Sequence, residues 1–349
     1  MNDTSIMLSS RHLRILLLSA LLLLFKHACH AAMSTPVVGV LTQPRENYTE
    51  YYVASSYVKW LELAGARAIP IPYDAPDHLV DEIFEQINGL LFPGGDSDLP
   101  ASARRLWARA LDANQMGDYF PIWATCMGYE YVLMLASSQG ETILHGDFDA
   151  ENISLPLTLV NTEHSLLYAD SKIREIVRSN VTLNNHHMGL EPSKFADDEG
   201  LTGMFHITSV NQDRKGKPFV SSLEPKSPDR HPIYAVQYHP EKNAFEYATT
   251  TPDNMPFENI DHSVDGIYFS VYMAQFFGRL LQRSVLQQTH VYKDAYRHPL
   301  VHSYPMKRAL AFEQFYIIPT AEYWEENVDD DENVWTMIEL PHLRGSTKS

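Results

Sequence analysis

The chain has 349 residues, 44% of them hydrophobic and 20% charged, the balance of an ordinary globular protein with enough apolar surface for one large core. Its 44 Asp and Glu outnumber its 27 Lys and Arg, for a formal net charge of -17, and the basic residues do not cluster. Nucleic acid as a partner is excluded, because phosphate binding needs a basic stripe to displace condensed counterions.

The first 32 residues read as a signal peptide. Arg11 and Arg14 form a basic start, Ile15 to Phe25 an apolar stretch, and Ala28, Ala31 and Ala32 the small residues of a cleavage site. The apolar stretch is shorter than the ~20 residues a membrane span needs. No second apolar run of spanning length follows, so the expectation is a soluble protein of the secretory pathway, extracellular or in a lysosome- or vacuole-like compartment, without membrane association once the leader is removed.

From Pro36 strands and helices alternate. Val37–Leu41 reads as a buried strand, Glu50–Leu63 as a helix stopped by Gly65, Ala68–Pro72 as a strand and Pro76–Ile87 as a helix. Strand Gly89–Phe92, helix Ala101–Gln115, strand Pro121–Thr125 and helix Met127–Ala136 follow. Between Gly140 and Pro228 the pattern loosens, with β-like runs at Leu155–Val160 and Phe205–Val210 that read as insertions around the core. Ile233–Tyr238 is a clear strand and Ser263–Leu281 an aromatic-rich helix. The predicted fold class is therefore α/β, a mostly parallel central sheet with helices on both faces. The catalytic domain is expected over 33–319, and an acidic tail over 320–349 as a flexible end or a surface wrap.

The chain has two cysteines. Cys29 lies in the expected leader, so Cys126 is left unpaired in an oxidising compartment, either as a small buried hydrophobe or as a nucleophile. Three glycosylation sequons begin at Asn47, Asn152 and Asn180 and agree with a secretory route.

In an open α/β sheet, ligands bind beyond the carboxyl ends of the strands, and three predicted strands end in reactive or backbone-rich segments. Trp123-Ala124-Thr125-Cys126-Met127-Gly128 runs from strand directly into helix, the pattern of a nucleophile elbow. A helix N-terminus behind the thiol is expected to lower its pKa. Tyr238-His239-Pro240-Glu241 places a histidine just past a strand with a carboxylate two residues on, so the ring can exchange protons with a thiol and be oriented by the acid. One histidine among 16 is more often structural; the strand-end position and the nearby carboxylate single out His239. Phe92-Pro93-Gly94-Gly95 ends the third strand; alone it is a turn, and beside the other two it becomes a source of backbone N–H donors for an oxyanion. No metal-ligand spacing is present and no cofactor is called for.

Together, Cys-x-Gly after a strand and a later His-Pro-Glu resemble the class I glutamine amidotransferase superfamily, in its flavodoxin-like core with insertions. Tyr57-Val58-Lys59-Trp60, Ala64-Gly65-Ala66-Arg67, Leu91 to Gly95, Thr125 to Glu130, Tyr238 to Lys242 and Phe312 to Ile318 narrow the resemblance to the gamma-glutamyl hydrolases, over about Pro36 to Ile318. That resemblance implies a cysteine hydrolase cleaving gamma-glutamyl bonds of folate polyglutamates through a thioester, and a homodimer. It implies Cys126 as nucleophile, His239 as base and acid, Glu241 as supporting carboxylate, and Glu130 and Gln237 near the site. It also implies an active-site histidine in Asn184-Asn185-His186-His187, with His186 in better alignment than His187. Amides of Gly94, Gly95 and Met127 supply substrate and oxyanion contacts, those of Gly95 and Met127 as the oxyanion donors. Ala124 stands where the family more often has Gly. Arg45, Lys59 and Lys242 are candidates to receive the anionic substrate.

Two other functions fit parts of the pattern. A glutaminase unit feeding ammonia to a synthetase would share the elbow, but it would be intracellular and coupled to a synthetase domain. A catalytically silent secreted glycoprotein of the same fold would be free to lose Cys126, His239 and Glu241, all of which are present.

Overall fold

The computed structural model describes residues 35–45, 50–250, 252–309 and 312–322. The expected leader with Cys29, the sequon at Asn47 and the tail beyond 322 lie outside the described residues.

Strands β1 (Val37–Leu41), β2 (Gln43–Pro44) and β3 (Tyr51–Ala54) are followed by helix α1 (Ser55–Leu63), strand β4 (Arg67–Ile71), helix α2 (Asp77–Phe84) and strand β5 (Gly89–Phe92). Helix α3 (Ala101–Met116), strand β6 (Ile122–Thr125) and helix α4 (Met127–Ala136) complete the first half. The second half holds β7 (Ala150–Leu155), β8 (Thr158–Leu159), α5 (Ser171–Ile176), β9 (Thr182–His186), α6 (Pro192–Ala196), α7 (Glu199–Met204), β10 (Phe205–Gln212), β11 (Pro218–Pro225) and β12 (Ile233–Val236). Helices α8 (Lys242–Phe245) and α9 (Val264–Gln287) and strands β13 (Met306–Lys307) and β14 (Phe315–Ile318) follow.

The main sheet runs β4-β1-β5-β6-β12-β11-β10-β8. From β4 to β12 neighbouring strands are parallel; β11, β10 and β8 continue it antiparallel. Side chains alternate across a strand with period two, and here the alternation sorts two cores. Val37, Leu90, Phe92, Ile122, Ala124, Ile233 and Ala235 face one core with α2, α3 and α4. Val38, Leu91, Trp123, Tyr234 and Val236 face the other with α1 and α9. Each central strand is buried on both faces, which explains its unbroken apolar runs. In the second core Trp60, Trp123 and Phe277 pack ring to ring, 5.1 to 6.3 Å between centroids, and burying each such side chain contributes roughly 1.5–3 kcal/mol. The α/β expectation is met, with helices on both faces.

Local differences have identifiable causes. The first turn of the helix expected over Glu50–Leu63 is β3, because Tyr51 to Ala54 pair antiparallel with Ile318 to Phe315 from the far end of the chain. That partner is invisible to local periodicity. Gly65 ends α1 as expected: it takes φ 77°, and its amide and that of Ala66 donate to Glu62 O and Leu61 O at 3.0 Å. The stretch from 140 to 228 is only partly an insertion, since its β10–β11 hairpin completes the main sheet against β12. Separately, β7 and β9 form an antiparallel pair of their own. Helix α9 runs a turn and a half beyond Leu281 and is capped by the Ser263 hydroxyl, which accepts from the Gly266 amide at 3.1 Å. The tail starts packed: Ala321 is buried, and its amide donates to Asp74 at 3.0 Å. Among the described residues no helix is long and apolar enough to cross a membrane.

Candidate active site

Strands β5, β6 and β12 are consecutive and parallel, so their carboxyl ends open on one edge of the sheet. Gly94-Gly95, Cys126 and His239 are thereby brought together from three separate stretches of chain.

Cys126 is the N-cap of α4 with φ 52° and ψ -111°, a left-handed φ that costs a non-glycine residue about 1–3 kcal/mol and that the surroundings must impose. They do so through two hydrogen bonds: the Cys126 amide donates to Val236 O at 2.8 Å and the Gly128 amide to Pro93 O at 3.1 Å. Position 128 must be glycine, because a Cβ there would lie 2.1 Å from the Phe92 carbonyl oxygen. Ala124, by contrast, is accommodated inside β6 and fully buried.

His239 is 6% exposed and Glu241 1%; Nδ1 of the ring lies 2.8 Å from Glu241 Oε1. With Nδ1 occupied by the carboxylate, Nε2 is the end free to exchange protons. A Cβ added at Gly94 would meet His239 Cε1 at 2.7 Å and Cys126 Cβ at 3.2 Å, so the ring and the cysteine abut the same glycine. The Gly94 amide itself donates to the Tyr57 hydroxyl at 2.7 Å, and that hydroxyl is 3.5 Å from His239 Nδ1.

Strand β9 closes the site from the side. The His239 amide donates to Leu183 O at 2.9 Å, and the Cys126 thiol donates to Asn185 O at 3.9 Å. The histidine pair is separated by the pleat: His186 is buried, while His187 is exposed beside Glu151. His186 Nδ1 is 2.7 Å from Met188 O, which makes it the protonated nitrogen. Nε2 is buried without a protein partner. Burial pushes the His186 pKa down to about 4, so the ring is neutral and Nε2 is a lone-pair acceptor.

Gln237 Nε2 donates to Glu130 Oε1 at 3.1 Å. Burial raises the Glu130 pKa to about 7 against the hydrogen bond from Gln237. The thiol does not follow the expectation of a lowered pKa. Burial, then the charge of Glu130, push Cys126 upward, while Lys242 and the Met127 amide pull it down. Desolvation outweighs the helix N-terminus, which is why the thiol is found donating a proton.

Of the three basic candidates for substrate, Lys242 is corrected outright. It is buried, with both oxygens of Glu258 at 2.6 and 2.7 Å. Arg45 pairs with Glu50 at 2.7 Å and lies over the Phe315 ring, and Lys59 donates to Gln314 at 3.3 Å. Sequence reasoning missed the roles of Tyr57 and Asn185, which it cited only within motifs of the resemblance, and it missed Glu258 altogether. None of these roles has a local signal, since each depends on a partner at least 16 residues away.

The peptidase C26 family profile matches residues 36–241. Gamma-glutamyl hydrolase B of Dictyostelium discoideum is 36% identical over 264 residues, spanning 70% of this chain and 71% of that protein. The gamma-glutamyl hydrolases of Rattus norvegicus and Homo sapiens are 34% and 32% identical, each spanning 69% of this chain and 76% of its own. Among solved structures, the glutaminase domain of Trypanosoma brucei CTPS with bound acivicin aligns at 16% identity and a TM-score of 0.41, covering 69% of this chain and 94% of that one.

Proposed function

The chain belongs to the peptidase C26 family, and on that premise we propose that it hydrolyses gamma-glutamyl peptide bonds of folate poly-gamma-glutamates with Cys126 as nucleophile. The observation that carries the assignment of roles is the elbow at Cys126 facing a histidine that a buried carboxylate orients.

His239 Nε2 takes the thiol proton as substrate enters, and the Cys126 sulfur attacks the gamma-carbonyl carbon. Amides of Gly95 and Met127 receive the oxyanion, the Gly94 amide being held by Tyr57. His239 returns the proton to the departing glutamate nitrogen, the C–N bond breaks, and a thioester remains. Water, deprotonated by the same ring, attacks the thioester, and the thiol is restored. His186 Nε2 accepts a hydrogen bond from substrate, and Glu130 with Gln237 lines the approach to the thiol.

The protein is read further as a glycoprotein of the secretory pathway. Asn180 is exposed. The Asn152 amide nitrogen donates to Phe257 O at 3.4 Å, so Asn180 is the better acceptor of a glycan.

The deciding experiment incubates the protein and its Cys126→Ala variant with a pteroyl-polyglutamate and with free glutamine, with products identified by mass. Shortened folates from the parent alone support the reading. Ammonia from glutamine without folate cleavage points to a glutaminase instead, and no turnover of either to a silent protein.

A further inference from the structure

We propose that Lys242 and Glu258 act as one positioning unit for Cys126: Glu258 holds Lys242 as a buried cation near the thiol and, through Asn185, fixes the carbonyl to which the thiol donates. This rests on the reading of Cys126 as the nucleophile.

The pair is connected to the sulfur through Asn185. The Lys242 ammonium donates to both oxygens of Glu258, at 2.6 and 2.7 Å, and both side chains are 5% exposed. The same carboxylate accepts from Asn185 Nδ2 at 3.0 Å, and the Asn185 backbone carbonyl accepts from the Cys126 thiol at 3.9 Å. Asn185 is pinned again through its Oδ1, which accepts from the Asn152 amide at 3.0 Å. Lys242 follows Glu241 directly and opens α8, its amide donating to His239 O at 3.4 Å. One carboxylate therefore touches the segment that carries the catalytic acid and base and the strand that faces the nucleophile.

A buried ion pair contributes little net stability, because desolvating two charges offsets their attraction; apolar residues of similar size do as well. Its presence here has a catalytic account instead. Around the thiol, Glu130 from α4 and Glu241 from the segment after β12 oppose ionisation, as does Tyr57 from α1 when it ionises, while Lys242 and the Met127 amide favour it. His239 and His186 approach from β12 and β9. Facing Lys242 are Glu258 and, at longer range, Glu246. Lys242 is thus the cation that offsets two carboxylates. Glu258 is the counter-ion that holds this ammonium in place, through both of its oxygens.

The test uses the full chain with Cys29→Ser, so that Cys126 is the only thiol. The rate of alkylation of Cys126 by iodoacetamide is followed against pH by peptide mass, together with kcat, KM and Tm. Lys242→Met and Glu258→Gln are each expected to move the alkylation midpoint upward by about one pH unit, and to lower kcat about tenfold with KM within about threefold. Glu258→Asp, which keeps the charge on a shorter arm, is expected to fall between parent and Glu258→Gln, and it carries the test if the other two do not fold. An unmoved midpoint in the variants that fold overturns the proposal, even where Tm and kcat drop. Alkylation needs no substrate, so a parent that cleaves no folate sinks the functional reading while leaving this test intact.

Discussion

His239 Nδ1 lies 2.8 Å from Glu241 Oε1, and both side chains are almost wholly withdrawn from solvent. In the proposed mechanism a carboxylate so placed fixes the tautomer and orientation of the ring that receives the thiol proton. Glu241→Gln keeps the volume but removes the charge. Expected is a fall in kcat of about 10²–10⁴ with KM little changed, measured by steady-state kinetics on a pteroyl-polyglutamate. A loss confined to KM would mean the carboxylate binds substrate rather than orienting the ring.

Gly128 admits no side chain, since a Cβ would meet the Phe92 carbonyl at 2.1 Å, and that atom is backbone. Gly128→Ala is expected to cost about 3 kcal/mol as β5 and α4 are forced apart. Urea unfolding of parent and variant checks it. A difference under about 1 kcal/mol would show that the elbow relaxes more easily than its packing indicates.

Glu130 supplies a pH dependence of stability. Its pKa rises from the ordinary 4.5 to about 7 on folding, so folding takes up a proton. The associated stability is fully present below pH 4.5 and is lost as pH rises through 7. Glu130→Gln should therefore match the parent's Tm near pH 4.5 and exceed it at pH 8, the difference opening between those values. Parallel Tm curves for the two proteins across that range would refute the assignment.

The adjacent histidines should behave oppositely. His186→Ala removes a buried acceptor and is expected to reduce kcat/KM by about 10- to 100-fold, whereas His187→Ala leaves it unchanged. Because the His186 pKa is near 4, its loss should not move any limb of the pH–rate profile between pH 5 and 8. The stability linked to it is present above 6.5 and fades as pH falls through 4. Equal effects from both alanines would contradict the inward orientation of His186.

Legibility of the site followed the length scale of the cause. The elbow at Cys126 could be read because strand, nucleophile and glycine lie within a few residues, and a tight turn constrains those residue types locally. His239 and Glu241 could be read for the same reason. Tyr57, Asn185 and Glu258 could not, because their roles come from partners supplied by other strands and loops. Lys242 was misread as a candidate to receive the anionic substrate: charge is visible in sequence, while burial against Glu258 is not. β3 was misread as helix because Tyr, Val and Ala suit either state, and pairing with β14 decides between them.

What the chain's own order determined about Cys126 is that it sits between an apolar strand and a helix, with the small residues a sharp turn requires. The succession of apolar strands and helices likewise determined a sheet buried on both faces, since unbroken apolar runs are local consequences of which side chains must leave water. Only the tertiary structure decided the state of that thiol. Its desolvation, the opposing carboxylates of Glu130 and Glu241 and the cation of Lys242 act through space across elements far apart in the chain. Electrostatic energy in a buried site depends on those distances and on the exclusion of water, and neither is written in the neighbours of a single residue.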